Sequence, residues 1–561
     1  MPSATPSPAD GRRPSPPAPP ARRRTPIGTR PGAGALLGWL TDPDAPRLCL
    51  VTGGPGSGKT ALLGWLAAHG TRARRGRPRT ERVPVPLAGQ SALGVAWTLA
   101  DRLGVVAGTP ADLVHALATS EARRSGRTVL LLTDLHAAAE PEAVTELLSG
   151  LAEVGRIRLV VETRTGTRPP RAARTTVVDL DLDLDLDPDP DPDPAHDGAG
   201  DRGPEPTPSA PPLPGLPDLS DPAAVCAADP LLVTTGYATA SADDHGGLRD
   251  AWLRAGQALC AADGPADRAL VLLTALGDGA DPRLRPALAE RAAPAPWRMR
   301  WARHRGDVSP PWPGPVAVLG ATAGGPSAEL VLVGDRTGTV RLLREADASG
   351  EGRLAHRVAG GITALAPTAD GTVLLLDERG RLHAVRGTAP RPPYLERLTE
   401  AVSTTLSRHP GTALAAIAGS VVVGDRLGSV HAFGVTGLHQ AASHSGRVTA
   451  VTAVESETPF VCSGGADGTV RLWTPGRAPV PEPLAERRAP VVALHAAPAP
   501  GGPLVAAAWA DGRVELIPME GGGPRRAFRP GPAVRAVAVT ATGALLVGTD
   551  ESLICLEPHG K

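Results

Sequence analysis

Between residues 334 and 556 one short unit keeps returning, and it restricts the fold of the C-terminal half more than any other feature. It reads Gly334-Asp-Arg-Thr-Gly-Thr-Val-Arg-Leu342, then Leu376-Asp-Glu-Arg-Gly-Arg-Leu382 and Gly424-Asp-Arg-Leu-Gly-Ser-Val430. Gly465-Ala-Asp-Gly-Thr-Val-Arg-Leu-Trp473, Trp509-Ala-Asp-Gly-Arg-Val-Glu-Leu516 and the worn Gly548-Thr-Asp-Glu-Ser-Leu-Ile-Cys-Leu556 complete the set. The turn glycines Gly338, Gly380, Gly428, Gly468 and Gly512 lie 42, 48, 40 and 44 residues apart. A period near 40–45 with Val/Leu-rich strands is that of a four-stranded propeller blade. The Asp-x-Gly and Asp-Gly pairs supply the tight turns, since glycine accepts positive φ.

Six units predict six blades, with seven left open if two units are merged. After Ser552–Leu556 the chain ends one strand short of a full blade. Trp297-Arg-Met-Arg-Trp-Ala-Arg303 precedes the first unit as a spare strand, and pairing it into the last blade would remove both open edges.

The N-terminal half has a different grammar. The apolar run Leu48-Cys-Leu-Val-Thr52 leads into Gly53-Gly-Pro-Gly-Ser-Gly-Lys-Thr60 and then a helical stretch, Ala61–His69. Strand, glycine-rich loop and helix form the context of a phosphate-binding loop. The backbone N–H groups of Gly53, Gly54, Pro55 (which lacks one), Gly56, Ser57 and Gly58 would frame a β-phosphate. Lys59 would reach the β- and γ-phosphates, and the Thr60 hydroxyl would ligate Mg²⁺. Of 58 basic residues only Lys59 and Lys561 are lysine. A compact ammonium retained at this position, in a chain that otherwise uses arginine, argues that the position needs it.

Further strands are expected at Val83–Leu87, Thr128–Leu132, Ile157–Val161 and Thr175–Val178, alternating with helices at Ala33–Leu40, Ala92–Leu103, Ala111–Ala122 and Glu142–Val154. That alternation implies right-handed crossovers and a parallel sheet. Asp134, after Leu130-Leu-Leu-Thr133, would hold Mg²⁺. His136 is the candidate to polarise water, because no acid stands beside Asp134 and Glu140 is six residues on. Arg164 would sense a γ-phosphate from the end of the strand at 157–161. Slow hydrolysis, or binding alone, is the chemical expectation.

These residues resemble a STAND-type P-loop NTPase of the NACHT-like branch, joined to a WD-repeat propeller. Pro26-Ile-Gly-Thr-Arg30 stands where that family carries a Gly-Arg nucleotide-pocket motif, so the resemblance implies a pocket role for Arg30. Val161-Glu-Thr-Arg164 resembles its sensor strand. The family's acidic motif departs here: Thr133, His136 and Ala137 replace its two aspartates and its glutamate, and Asp134 is displaced by one position. Trp473 alone keeps the repeat's strand tryptophan, while Asp467 and Asp511 match its turn aspartate. Members of this class are taken to be switches in which nucleotide biases an assembled state and the repeats sense partners.

The organisation expected is therefore multidomain: a Pro/Arg-rich tail (1–25), an α/β P-loop NTPase domain (26–187), an acidic Pro-rich linker (188–220), a small helical module (221–296) and an all-β propeller (297–561). Within the module, helices are expected at Gly247–Ala262, Pro265–Leu276 and Leu284–Ala292. The Asp-Leu and Asp-Pro run from Asp179 to Pro194 reads as a solvated spacer rather than a calcium site. Balanced charge (58 acidic residues against 58 basic) and 2% aromatics argue against nucleic acid. No apolar run is long enough for a membrane span. Five scattered cysteines suit a reducing cytoplasm.

ATP or GTP with Mg²⁺, a protein partner at the propeller and self-association complete the expectations. The leading functional reading is a nucleotide-dependent regulatory switch. The alternative is a scaffold that binds nucleotide without turning it over, and a small-molecule kinase would require a substrate lid that the sequence lacks.

Overall fold

In the computed structural model the described residues are 27–68, 81–119, 127–164, 167–181, 215–239, 244–306, 312–321, 329–354, 358–368, 370–385, 393–417, 419–435, 437–455, 459–520 and 522–559. The expected N-terminal tail and most of the acidic linker lie outside them.

The N-terminal part is an α/β layer structure. Strands β1 (Leu48–Thr52), β2 (Glu81–Pro86), β3 (Thr128–Thr133), β4 (Ile157–Glu162) and β5 (Thr175–Asp179) form one sheet in the order β2-β3-β4-β1-β5. Every pairing is parallel. Runs such as Leu130-Leu-Leu132 lack polar alternation because both faces are covered. Leu50, Leu130, Leu132, Leu159 and Val161 face α3 (Ala92–Leu103) and α4 (Pro141–Ala152). Cys49, Val51, Val129, Leu131 and Val160 face α1 (Pro31–Thr41) and α2 (Lys59–Ala68).

A helical module follows, with helices at Pro222–Ala227, Pro230–Thr239, Leu248–Ala255, Gln257–Cys260, Pro265–Ala275 and Leu284–Arg291. The single helix expected over 247–262 is two. Gly256 adopts φ 56°, ψ −132°, which no helix tolerates, and the chain bends there.

The C-terminal part is a six-bladed propeller. Blades 1 and 3 to 5 each have four antiparallel strands, and the innermost strands of successive blades (Val316–Ala321, Ile362–Pro367, Ala413–Ile417, Val448–Val454, Val491–Ala497 and Val534–Val539) form a closed ring. The sixth blade is completed by Trp297–His304, which pairs antiparallel with Ser552–Pro558 from Ser552↔His304 to Pro558↔Trp297. The spare strand thus closes the ring as expected.

Blade 2 departs from the four-strand expectation. It has three described strands, Ile362–Pro367, Val373–Asp377 and Leu382–Val385, and then a helix, Pro393–Arg408. Leu395, Leu398, Val402 and Leu406 recur at helical spacing and cover the blade's outer side against Leu376 and Leu382. This helix accounts for the longest interval between turn glycines.

The three parts share a core. One apolar cluster runs from Trp97 of α3 through Trp252 and Leu259 of the module to Val514, Phe528 and Val534 of blades 5 and 6.

Candidate functional site

β1 lies between β4 and β5, so the loop leaving it is flanked by the carboxyl ends of both neighbours. Glu162 pairs with Val51, and Asp179 with Thr52. Ligands of open parallel sheets gather at such strand ends.

The loop Gly53–Thr60 is wound tightly. Gly53, Gly56 and Gly58 have φ of 145°, 80° and 92°, and a Cβ on Gly53 would sit 2.7 Å from the Ser57 Oγ. Lys59 opens α2 with 5% exposure. Its ammonium donates to the carbonyls of Gly53 (2.7 Å) and Gly54 (2.8 Å) and to the Ser57 Oγ (3.3 Å). Gly54 is half-buried, and Pro55 and Gly56 are exposed at the loop's rim. Positive-φ glycines, a lysine and a helix N-terminus make a donor set suited to an anion. Arg30 joins it: a Cβ on Gly58 would lie 3.1 Å from the Arg30 Nη1.

The Thr60 hydroxyl lies 3.0 Å from each carboxylate oxygen of Glu162. Glu162 is 3% exposed. Burial pushes its carboxyl up from the usual range, the Thr60 hydrogen bond opposes that shift, and the negative charge of Asp134 adds to it. Asp134 itself is left-handed (φ 58°) where β3 turns into a short 3₁₀ segment, Leu135–Ala137.

His136 lies within the same field. Burial lowers its pKa, Arg164 and Lys59 lower it further, and Asp134 opposes them. The ring is therefore neutral at physiological pH. Arg164 is exposed just beyond β4. Glu140 is committed elsewhere, accepting the Ala92 N–H at the start of α3 (3.0 Å).

The predicted residues thus gather at one end of one sheet, and two acids join them that sequence reasoning did not assign. Glu162 was legible as the one acid of β4, closing the apolar run Leu159–Val161. Asp181 was hidden in the acidic run read as a solvated spacer. That reading is corrected at its first residues: the Asp181 carboxylate accepts the Gly54 N–H with both oxygens, at 2.8 and 2.9 Å.

Comparison with known proteins bears on the propeller alone. Residues 437–474, the outermost strand of blade 3 and the first three strands of blade 4, match the WD domain, G-beta repeat family. The chain is similar to the solved WD40 β-propeller domain of Doa1, at 14% identity and a TM-score of 0.33, over 47% of this chain and 97% of that one. It is also similar to the computationally designed Ika8 protein, at 20% identity and a TM-score of 0.28, over 43% of this chain and 70% of that one. No curated protein sequence matches it. Among the described residues, no helix is long and apolar enough to cross a membrane.

The matched blade shows how the repeat's polar residues work. The buried His444 ring bridges Asp467 (3.1 Å) and Ser463 (2.9 Å), tying the turn before Gly468 to the preceding loop. Against the opposing effect of burial, hydrogen bonds from His444, from the Thr469 and Ser445 N–H groups and from the Thr469 hydroxyl hold the Asp467 carboxyl far below the usual range.

Proposed function

We propose that this protein is a nucleotide-binding regulatory protein whose α/β domain holds a nucleoside triphosphate at Gly53–Thr60 and whose propeller recognises a protein partner. The observation that carries the reading is the Lys59 ammonium, buried under a loop of positive-φ glycines with the Thr60 hydroxyl beside it. Lys59 and the loop N–H groups would bind the phosphates, and Arg30 would close the pocket from the side of Gly58. Mg²⁺, when bound, would neutralise phosphate charge. The Thr60 hydroxyl and an acid at this end of the sheet fit a divalent cation by donor type, being hard oxygen ligands.

The switch component rests on packing. The loop after α3 lies between the helical module and blade 5, so a change at the sheet's carboxyl end has a physical route to the propeller. Hydrogen exchange on the full chain, with and without ATP and Mg²⁺, tests both parts. ATP should be bound by the wild type and lost in Lys59→Ala, and it should change protection at residues 104–108 and around Gly512. Binding without any change at those segments would remove the switch and leave a nucleotide-holding scaffold.

That second reading has its own support. Position 136 holds a histidine where an acid would polarise water, and Glu140 is occupied in capping α3. Steady-state turnover with Mg²⁺, present in wild type and absent in Lys59→Ala, would exclude the scaffold.

A further inference from the structure

We propose that Glu162, at the end of β4, is the acid that holds the divalent cation beside Thr60, taking over a task that the displaced Asp134 on β3 does not perform. The inference rests on the nucleotide reading above and names the residue that pairs with its threonine.

Three observations carry it. The first is position. Glu162 is directly opposite Val51 in the parallel register, one strand from the loop, and both of its carboxylate oxygens are 3.0 Å from the Thr60 hydroxyl. In a phosphate-binding loop that hydroxyl is the protein's ligand to the metal. An acid already within hydrogen-bond reach of it stands where a shared cation would sit.

The second is an unbalanced charge. Glu162 is 3% exposed, and the Thr60 hydroxyl is the donor it accepts from. Among the described residues, no lysine or arginine lies within ion-pair distance of it, the influence of Lys59 being only the weaker pull of a charge farther off. Buried carboxylates are otherwise paired with cations or coordinate metals. A divalent ion would supply the missing charge.

The third is that Asp134 makes no such contact. Its backbone is left-handed (φ 58°) where β3 gives way to the 3₁₀ segment. Among the described residues the Asp134 carboxylate has no hydrogen bond to Thr60. The acid that contacts the threonine is thus not the one read from sequence as the metal ligand.

The test is the affinity of the full chain for a fluorescent ATP analogue, titrated with EDTA or with Mg²⁺, alongside direct Mn²⁺ binding followed by electron paramagnetic resonance in the presence of ATP. Mg²⁺ should tighten the analogue on wild type. Glu162→Gln should lose that increment, and Mn²⁺ affinity should drop at least about tenfold, while metal-free binding persists. Asp134→Asn should keep most of the increment, and it carries the test even if Glu162→Gln does not fold. Loss of the increment in Asp134→Asn with retention in Glu162→Gln would overturn the proposal. So would a Glu162→Gln that keeps Mn²⁺ affinity and loses only turnover, which would make it a base. Failure of the wild type to bind the analogue at all would instead overturn the nucleotide reading.

Discussion

The Gln257 side chain clasps the backbone of Ala107 and its neighbour: its Oε1 accepts the Ala107 N–H at 3.1 Å, and its Nε2 donates to the Val105 carbonyl at 3.0 Å. This loop follows α3, and its Val106 methyl would lie 3.0 Å from a Cβ on Gly512 in the blade 5 turn. Asp101 pairs with Arg529 of the propeller (2.7 Å), and Thr235 of the module accepts the Ser91 N–H at the other end of α3 (3.3 Å). Helix α3 therefore touches all three parts of the chain. Its N-terminus is held by Glu140, six residues from Asp134.

Gln257 is 3% exposed, so its removal strands two buried backbone groups. Gln257→Leu should destabilise the protein by about 2–4 kcal/mol, the summed desolvation of an orphaned donor and acceptor. Chemical denaturation reads this directly, and hydrogen exchange should show residues 104–108 opening first. An unchanged midpoint would mean that the loop is held by packing alone.

Asp181 puts a negative charge on the first peptide of the anion-binding loop. Asparagine keeps an acceptor for the Gly54 N–H and removes that charge. Asp181→Asn should therefore tighten ATP about two- to fivefold at low ionic strength, as expected for a half-screened charge near a phosphate. The gain should shrink in 0.5 M salt, where the Debye length falls to about 4 Å. Weaker binding by the variant would show that the carboxylate shapes the loop and does not compete for it.

Much of this was legible in the sequence because local and tertiary demands agree. β1 and α3 were readable to the residue, since an apolar run before a glycine loop and a Ser91-capped amphipathic stretch leave little choice. Ring closure was readable because an unpaired edge has to be satisfied. What was not legible came from competition between patterns or from long-range pairing. The helix Pro393–Arg408 was masked by the expectation of a fourth strand, although its apolar spacing is helical. Asp181 and Thr60–Glu162 depend on which strands lie beside β1, which strand order alone decides.

The repeat also conceals two turn designs. In blades 1 to 3 the aspartate precedes the glycine by three and accepts N–H groups at +2 and +4, as Asp335 does from Thr337 (2.9 Å) and Thr339 (3.0 Å). In blades 4 and 5 it immediately precedes the glycine and is held by a side chain from the preceding loop, His444 or Arg487.

Gly468 and Gly512 separate backbone strain from collision. Both have φ near 80°, so alanine carries a similar conformational cost at each. A Cβ at 468 would also lie 1.9 Å from the Arg487 carbonyl oxygen, whereas at 512 the nearest atom is the Val106 methyl. Gly468→Ala should thus cost more than about 2 kcal/mol and Gly512→Ala distinctly less. Equal losses in denaturant unfolding would show that conformation alone sets the cost.

His495 gives the propeller a pH dependence whose direction is fixed by one hydrogen bond. Its Nδ1 accepts the Val539 N–H at 3.1 Å, joining the inner strands of blades 5 and 6, and only an unprotonated nitrogen can do so. Burial lowers its pKa to about 4 in the folded protein, against about 6.5 when unfolded. A depressed histidine stabilises the fold above its unfolded value, and the stabilisation drains as pH falls from about 6.5 towards 4, where the unfolded chain binds the proton and the native one does not. Between pH 7 and pH 5 the wild type should therefore lose about 1–2 kcal/mol through this group. His495→Gln retains an acceptor that does not titrate in this range. Its denaturation midpoint should fall less over that interval, while the carboxylates titrate alike in both proteins. Parallel pH profiles for the two would show that His495 is charged in the native state, and that the bond to Val539 does not form as described.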